Sequence, residues 1–178
     1  MRYPKAYIDY LVYFHGPRDY FECHEVLEEY WKEDKPGERK AHWVALIQVA
    51  VGFYHHRIKN YKGAERMIRN ALHIFENERE AVEVLALDYE QLLVLLHREL
   101  EQIRQKKPYE SVELPITDET LLVHCAEKCN EIDCKWGMVS DLENEELIRK
   151  HTLRDRSDVI SERKKQLRLK QKSREASS

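Results

Sequence analysis

His24, Glu25 and Glu28 are the side chains of this sequence best suited by type and spacing to do chemistry. They stand in the run Asp19-Tyr-Phe-Glu-Cys-His-Glu-Val-Leu-Glu-Glu-Tyr-Trp31, where His24 and Glu28 are i, i+4 neighbours on a helix. An imidazole and two carboxylates on one turn offer metal ligation or proton transfer. That chemistry would make a metal-dependent hydrolase using His24, Glu25 and Glu28, with Glu25 and Glu28 as the catalytic candidates. Glu22 belongs to the same run, and Gln48 and His55 share a face of a later helix from which they can complete the constellation. His24, Glu28 and His55 are then the metal-ligand alternative, and Arg57 is a partner for Glu25 or Glu28. Against an enzyme, H-E-x-x-E places a carboxylate where the zinc-protease pattern H-E-x-x-H has its second histidine. The chain has no Glu-x-x-His pair for a di-iron centre and no glycine-rich phosphate loop. The competing reading is a polar network buried between the second and third helices, because buried carboxylates and imidazoles must be paired. That reading is preferred, and it assigns no metal and no cofactor.

The elements that position these groups follow from periodicity. Tyr20, His24, Leu27 and Trp31 fall at i, i+4, i+7 and i+11, one face of a helix, with Phe21, Glu25 and Glu28 on the adjoining stripe. Asp19 and Glu22 have the spacing of a capping box. A first helix over residues 4–15 ends at Gly16-Pro17, and the second stops near Lys35-Pro36-Gly37. A third, over 38–59, is apolar on nearly every side from Ala41 to Tyr54, which places it at the centre of a bundle. Further helices are expected over 60–76, over 82–106, and from Thr117 or Asp118 to about Cys134. Val112–Ile116, extended by Pro115, is expected to strap across the bundle.

At an offset of 41 residues Asp19 meets Asn60, Tyr20 meets Tyr61, Cys23 meets Ala64, Leu27 meets Ile68 and Trp31 meets Leu72. Both Asp19 and Asn60 are good N-cap residues followed by a helical apolar stripe. Two copies are too few for an open solenoid, whose end repeats leave apolar faces uncovered. The expected fold is all-α: a closed array of about five to six helices built from two related helical hairpins, paired as in tetratricopeptide or HEAT repeats, plus a C-terminal helical extension.

Composition agrees. The 178 residues fit one core domain, and 35 % charged residues with only five Gly and five Pro describe a helix-rich chain. No apolar run is long enough to span a bilayer and no signal sequence opens the chain, so a cytoplasmic location and no membrane partner are expected. Four cysteines then read as reduced thiols; Cys125, Cys129 and Cys134 are spaced C-x3-C-x4-C, unlike the C-x-x-C of zinc sites. Residues 151–178 hold nine Lys/Arg against four Asp/Glu, a formal +5, which leaves the first 150 residues at −8 within the chain's −3. This shift predicts a helical-array domain over 1–137, with its motifs in 5–76, and a weakly anchored basic tail over 138–178. The tail's cations, in 151–174, admit nucleic acid as a partner, but no aromatic residues interleave them.

The run Gly16-x-x-Asp-Tyr-Phe-Glu-x-His-Glu-x-Leu-Glu-x-x-Trp31, followed by Leu46-Ile-Gln-Val-Ala50, Tyr54-His55 and Asn60-Tyr-x-Gly-Ala64, resembles a bacterial and archaeal all-helical family. It is the domain-of-unknown-function family three hundred and nine. The resemblance covers roughly residues 5–76, and the C-terminal third resembles an extension of Bacillus-type members. It implies an α-helical fold and no activity; Cys23 stands where the family pattern has Ala. Taken together, these readings predict a small protein-binding or scaffold module in the bacterial cytoplasm, its protein partner unspecified.

Overall fold

Two N-caps organise the helices. In the computed structural model, which describes residues 2–150 and 157–176, Asp19 accepts from the Glu22 N–H and Asn60 from the Gly63 N–H, both at 3.1 Å. Each cap follows a residue in the left-handed region, Arg18 at φ 57° and Lys59 at φ 62°, which turns the chain sharply between helices. The first elbow joins α1 (Lys5–His15) to α2 (Tyr20–Glu33), and the second joins α3 (Ala41–Arg57) to α4 (Tyr61–Phe75). The two helical hairpins expected from the sequence therefore form, with matching elbows.

The remaining elements are α5 (Arg79–Val84), α6 (Tyr89–Arg104), α7 (Glu119–Glu131), α8 (Glu145–Ile148) and α9 (Ser157–Ala176). Among the described residues there is no β-strand, and pairing is limited to an isolated bridge between Leu87 and Ile116. The protein is all-α. None of the described helices is long and apolar enough to cross a membrane. The chain divides into two compact units, Met1–Ile148 and Arg149–Ser178. Residues 138–148, which the charge pattern groups with the tail, thus count with the first unit, where Ile148 is buried. In the second unit α9 exposes Leu167, Leu169 and its cations from Arg163 onward; residues 151–156, where the basic run begins, lie outside the described residues.

The third helix is central, as its all-round apolar surface requires: α3 packs against α2 and α4 and buries Trp43, Leu46, Val49, Ala50 and Phe53. Gly52 allows a close approach of α3 to α4, since a Cβ there would meet Ile68 Cδ1 at 2.6 Å. At the α1–α2 elbow Phe14 meets Tyr20 at 5.3 Å and Phe53 at 5.6 Å between ring centroids, an edge-on cluster with no solvent contact to speak of.

Two expectations are corrected. The helix expected over 82–106 is broken into α5 and α6, because the strap pulls backbone groups out of helical pairing. The Thr117 N–H donates to Ala86 O at 2.8 Å and the Asp88 N–H to Pro115 O at 2.9 Å, Ala86 turns left-handed at φ 56°, and Asp88 caps α6. The four cysteines are not all thiols, since Cys129 and Cys134 form a disulfide while Cys23 and Cys125 are buried and free. The chain doubles back after α7 through Asp133, at φ 56°, and the Cys134 N–H donates to Cys129 O, which brings the two sulfurs together.

Two non-helical straps close over the elbow. Leu114 of the first donates its N–H to His15 Nε2 at 3.0 Å, and Gly137 of the second donates to His15 O at 2.9 Å, while Trp136 stacks on the His15 ring at 4.4 Å. Because Nε2 accepts, Nδ1 carries the proton and donates to Leu11 O at 2.8 Å. Burial accordingly pushes the His15 pKa from 6.5 down to about 3. Below pH 6.5 the unfolded chain therefore binds a proton that the folded chain refuses, so stability falls with pH down to about 3. Burial lowers His42 and His56 in the same sense. Denaturation at pH 7 and pH 5 should show a loss of about 1 to 2 kcal/mol from His15 alone, and His15→Gln should remove that part of the slope. An unchanged slope in the variant would assign the dependence to other groups.

Candidate functional site

The α2 helix brings together part of the constellation. His24 Nε2 lies 2.8 Å from Glu28 Oε2, one helical turn on, and His24 Nδ1 lies 3.2 Å from Glu25 Oε1. Lys32 continues the ladder, with Nζ 2.7 Å from Glu28 Oε1. One ligand atom from each of His24, Glu25 and Glu28 fits within 4.8 Å, the spread of a small coordination set. The cluster is not sealed in a core. The His24 side chain keeps 27 % of its exposure and Glu25 39 %, so water screens these charges.

The other residues of the constellation make contacts of their own. His55 Nδ1 meets Asn60 Nδ2 at 3.1 Å at the α3–α4 elbow, and its ring packs against Tyr54. Gln48 is half-buried on α3, with Oε1 enclosed and without a hydrogen bond among the described residues. Glu22 is half-buried in the first turn of α2, where its N–H is capped by Asp19. Arg57 makes no ion pair with Glu25 or Glu28: its guanidinium runs to the α1–α2 elbow, donating to Arg18 O at 2.7 Å and lying 4.6 Å above the Tyr20 ring.

Sequence reasoning missed the residues that surround Arg57. Lys32 was legible, because it sits i+4 from Glu28. Arg18, Tyr109, Ser111 and Ser140 gave no local signal, because straps distant in sequence bring them together.

A concave feature lies beside Tyr30, near the C-terminal end of α2. A groove of about 780 Å³ opens between the N-terminal residues, the start of α3 and α5. Its floor is aromatic: Trp43 contacts Tyr30 edge-on at 5.5 Å and His42 at 4.5 Å, and Tyr3 closes one side. Arg39 and Lys40 line it together with Glu78 and Glu80. His42 Nδ1 and Glu78 Oε2 approach to 3.8 Å across the groove.

With paired helical hairpins and no β-strand among the described residues, the chain is an all-helical protein. Residues 7–67 match the family described as "Domain of unknown function (DUF309)". The chain is 53 % identical over 173 residues to "Uncharacterized protein YpuF" of Bacillus subtilis (strain 168), covering 97 % of this chain and 99 % of that protein. It belongs to the DUF309 family. No solved structure matches it.

Half-exposed ion pairs contribute little to stability. Glu28→Ala, which removes the partner of both His24 and Lys32, should cost about 0.3 to 1 kcal/mol, and Glu25→Ala less. Chemical denaturation in metal-free buffer measures both. A loss above about 2 kcal/mol would show a desolvated network instead.

Proposed function

We propose that this chain is a small binding module that docks a protein segment. The observation that carries the reading is the groove floored by Tyr3, Tyr30, His42 and Trp43. Tyr30 is the half-buried member of this set, above the buried Tyr3, His42 and Trp43, and an aromatic ring loses few torsions on docking. Arg39 and Lys40 give the lining a basic pair beside the acidic Glu78 and Glu80, so an amphipathic segment with an acidic side chain for that pair is the complementary partner. A cytoplasmic location belongs to this reading. Display of a random peptide library on the purified protein, in reducing and non-reducing buffer, tests it. Enriched peptides should pair acidic with aromatic or aliphatic residues, and Arg39→Glu with Lys40→Glu should weaken them by roughly tenfold or more. Failure to enrich any sequence, or equal binding by the double variant, would defeat the reading.

The second reading is the metal-dependent hydrolase, and the observation favouring it is the convergence of His24, Glu25 and Glu28 ligand atoms within 4.8 Å. A nitrogen and two carboxylate oxygens suit a divalent ion such as zinc or manganese, provided that the ion displaces Lys32 from Glu28. Stoichiometric metal in untagged protein, lost on Glu28→Gln, would favour it. Nucleic acid is a further partner for the exposed cations of α9, and a binding isotherm with a steep salt dependence would be its mark.

A further inference from the structure

We propose that the buried guanidinium of Arg57 holds a small oxyanion of the phosphate class. Arg57 is 7 % exposed, and it spends only one of its three nitrogens on the protein. Its NH1 donates to Arg18 O at 2.7 Å and to Ser140 Oγ at 3.0 Å. Both Nε and NH2 are enclosed and have no hydrogen-bond partner among the described residues. These two nitrogens form the side edge of the guanidinium, the fork that matches two oxygens of a tetrahedral or planar oxyanion.

Charge argues in the same direction. Arg18, 2 % exposed, is a second buried cation at the same elbow; its Nε donates to Met138 O at 2.9 Å and its NH1 to Val112 O. Among the described residues neither guanidinium has a carboxylate within ion-pair distance. Asp19, the acid next to Arg18 in sequence, accepts from the Glu22 N–H through Oδ1. Arginine cannot escape burial by losing its proton, and the two guanidinium groups are met by carbonyl dipoles, the Ser140 hydroxyl and the faces of Tyr20 and Tyr109. A bound anion supplies the missing charge and fills the Nε–NH2 fork in one step.

The polar rim suits the same ligand. Ser140 Oγ accepts from Arg57 and keeps its own proton to donate outward. Ser111 Oγ, 2.9 Å from the Ser140 N–H and 3.1 Å from Tyr109 OH, stands beside it, and Ser111, Tyr109 and Ser140 are all half-buried. A ligand of this kind differs in place and in chemistry from the peptide proposed for the aromatic groove.

The test is titration of the full-length protein with inorganic phosphate at constant ionic strength, followed by calorimetry and by the Arg Nε–H resonances, with chloride as the control. Saturable one-to-one binding is expected, with an Arg57 Nε–H resonance that moves. A nucleoside monophosphate, titrated in parallel, separates free phosphate from phosphate carried on a larger molecule; binding of either supports the site. Arg57→Lys, which keeps the charge and loses the fork, should bind roughly tenfold more weakly or worse. Ser140→Ala leaves both arginines in place and should weaken binding by a smaller factor, so it decides the matter should Arg57→Lys fail to fold. No saturable response to either ligand in the wild type would overturn the proposal, as would wild-type affinity in the folded variants; enclosed water would then serve those N–H groups.

Discussion

Arg18 and Arg57 tie the two straps, around Val112 and around Met138 to Ser140, to the elbow between α1 and α2. Arg18 reaches from the left-handed turn between α1 and α2 to Val112 O in one strap and Met138 O in the other. Arg57, at the end of α3, reaches back to Arg18 O and on to Ser140. Helices satisfy their own backbones, whereas straps lying on a bundle need donors and acceptors from elsewhere. Two guanidinium groups provide many donors in a small volume, and His15 adds an acceptor for Leu114 and a carbonyl for Gly137. The aromatic cluster of Phe14, Tyr20 and Phe53 fixes the elbow from which these groups project.

The readable part of this fold was its local part. Asp19 and Asn60 announced two helix starts by type, and their environments matched at a fixed offset; the structure gives both the same cap and the same preceding turn. The place of α3 was legible because a helix apolar on all sides has nowhere else to go. That same property hid which face of α3 meets α2, so Gln48 and His55 could not be assigned to the His24 cluster or kept from it by periodicity. The break between α5 and α6 was illegible for another reason. The leucine-rich run is a good helix by itself, and only hydrogen bonding with residues 115–117 interrupts it. The disulfide depends in turn on a left-handed residue at Asp133, which no spacing rule reveals.

The candidate site divides along the same line. His24, Glu25 and Glu28 were legible as neighbours, since i, i+4 geometry is a property of any helix, and Lys32 extends them by the same rule. Their partial exposure was not, because it depends on how α2 is rotated against α3. Arg57 was expected to seek a carboxylate; the fold supplies carbonyls, a serine and two tyrosine faces instead. The groove beside Trp43 gathers residues from the N-terminus, two helix ends and α5, and no window of sequence contains it.

The role of the arginine pair is tested most directly by hydrogen exchange at the amides of Leu114, Gly137 and Ser140, compared between the wild type and Arg18→Lys. Lysine keeps the charge but cannot bond two carbonyls in the fork geometry of arginine. Faster exchange at those three amides, with the α3 and α4 amides unchanged, is the predicted result. Undiminished protection at Gly137 and Ser140, or a loss spread evenly over the hairpins, would contradict the account.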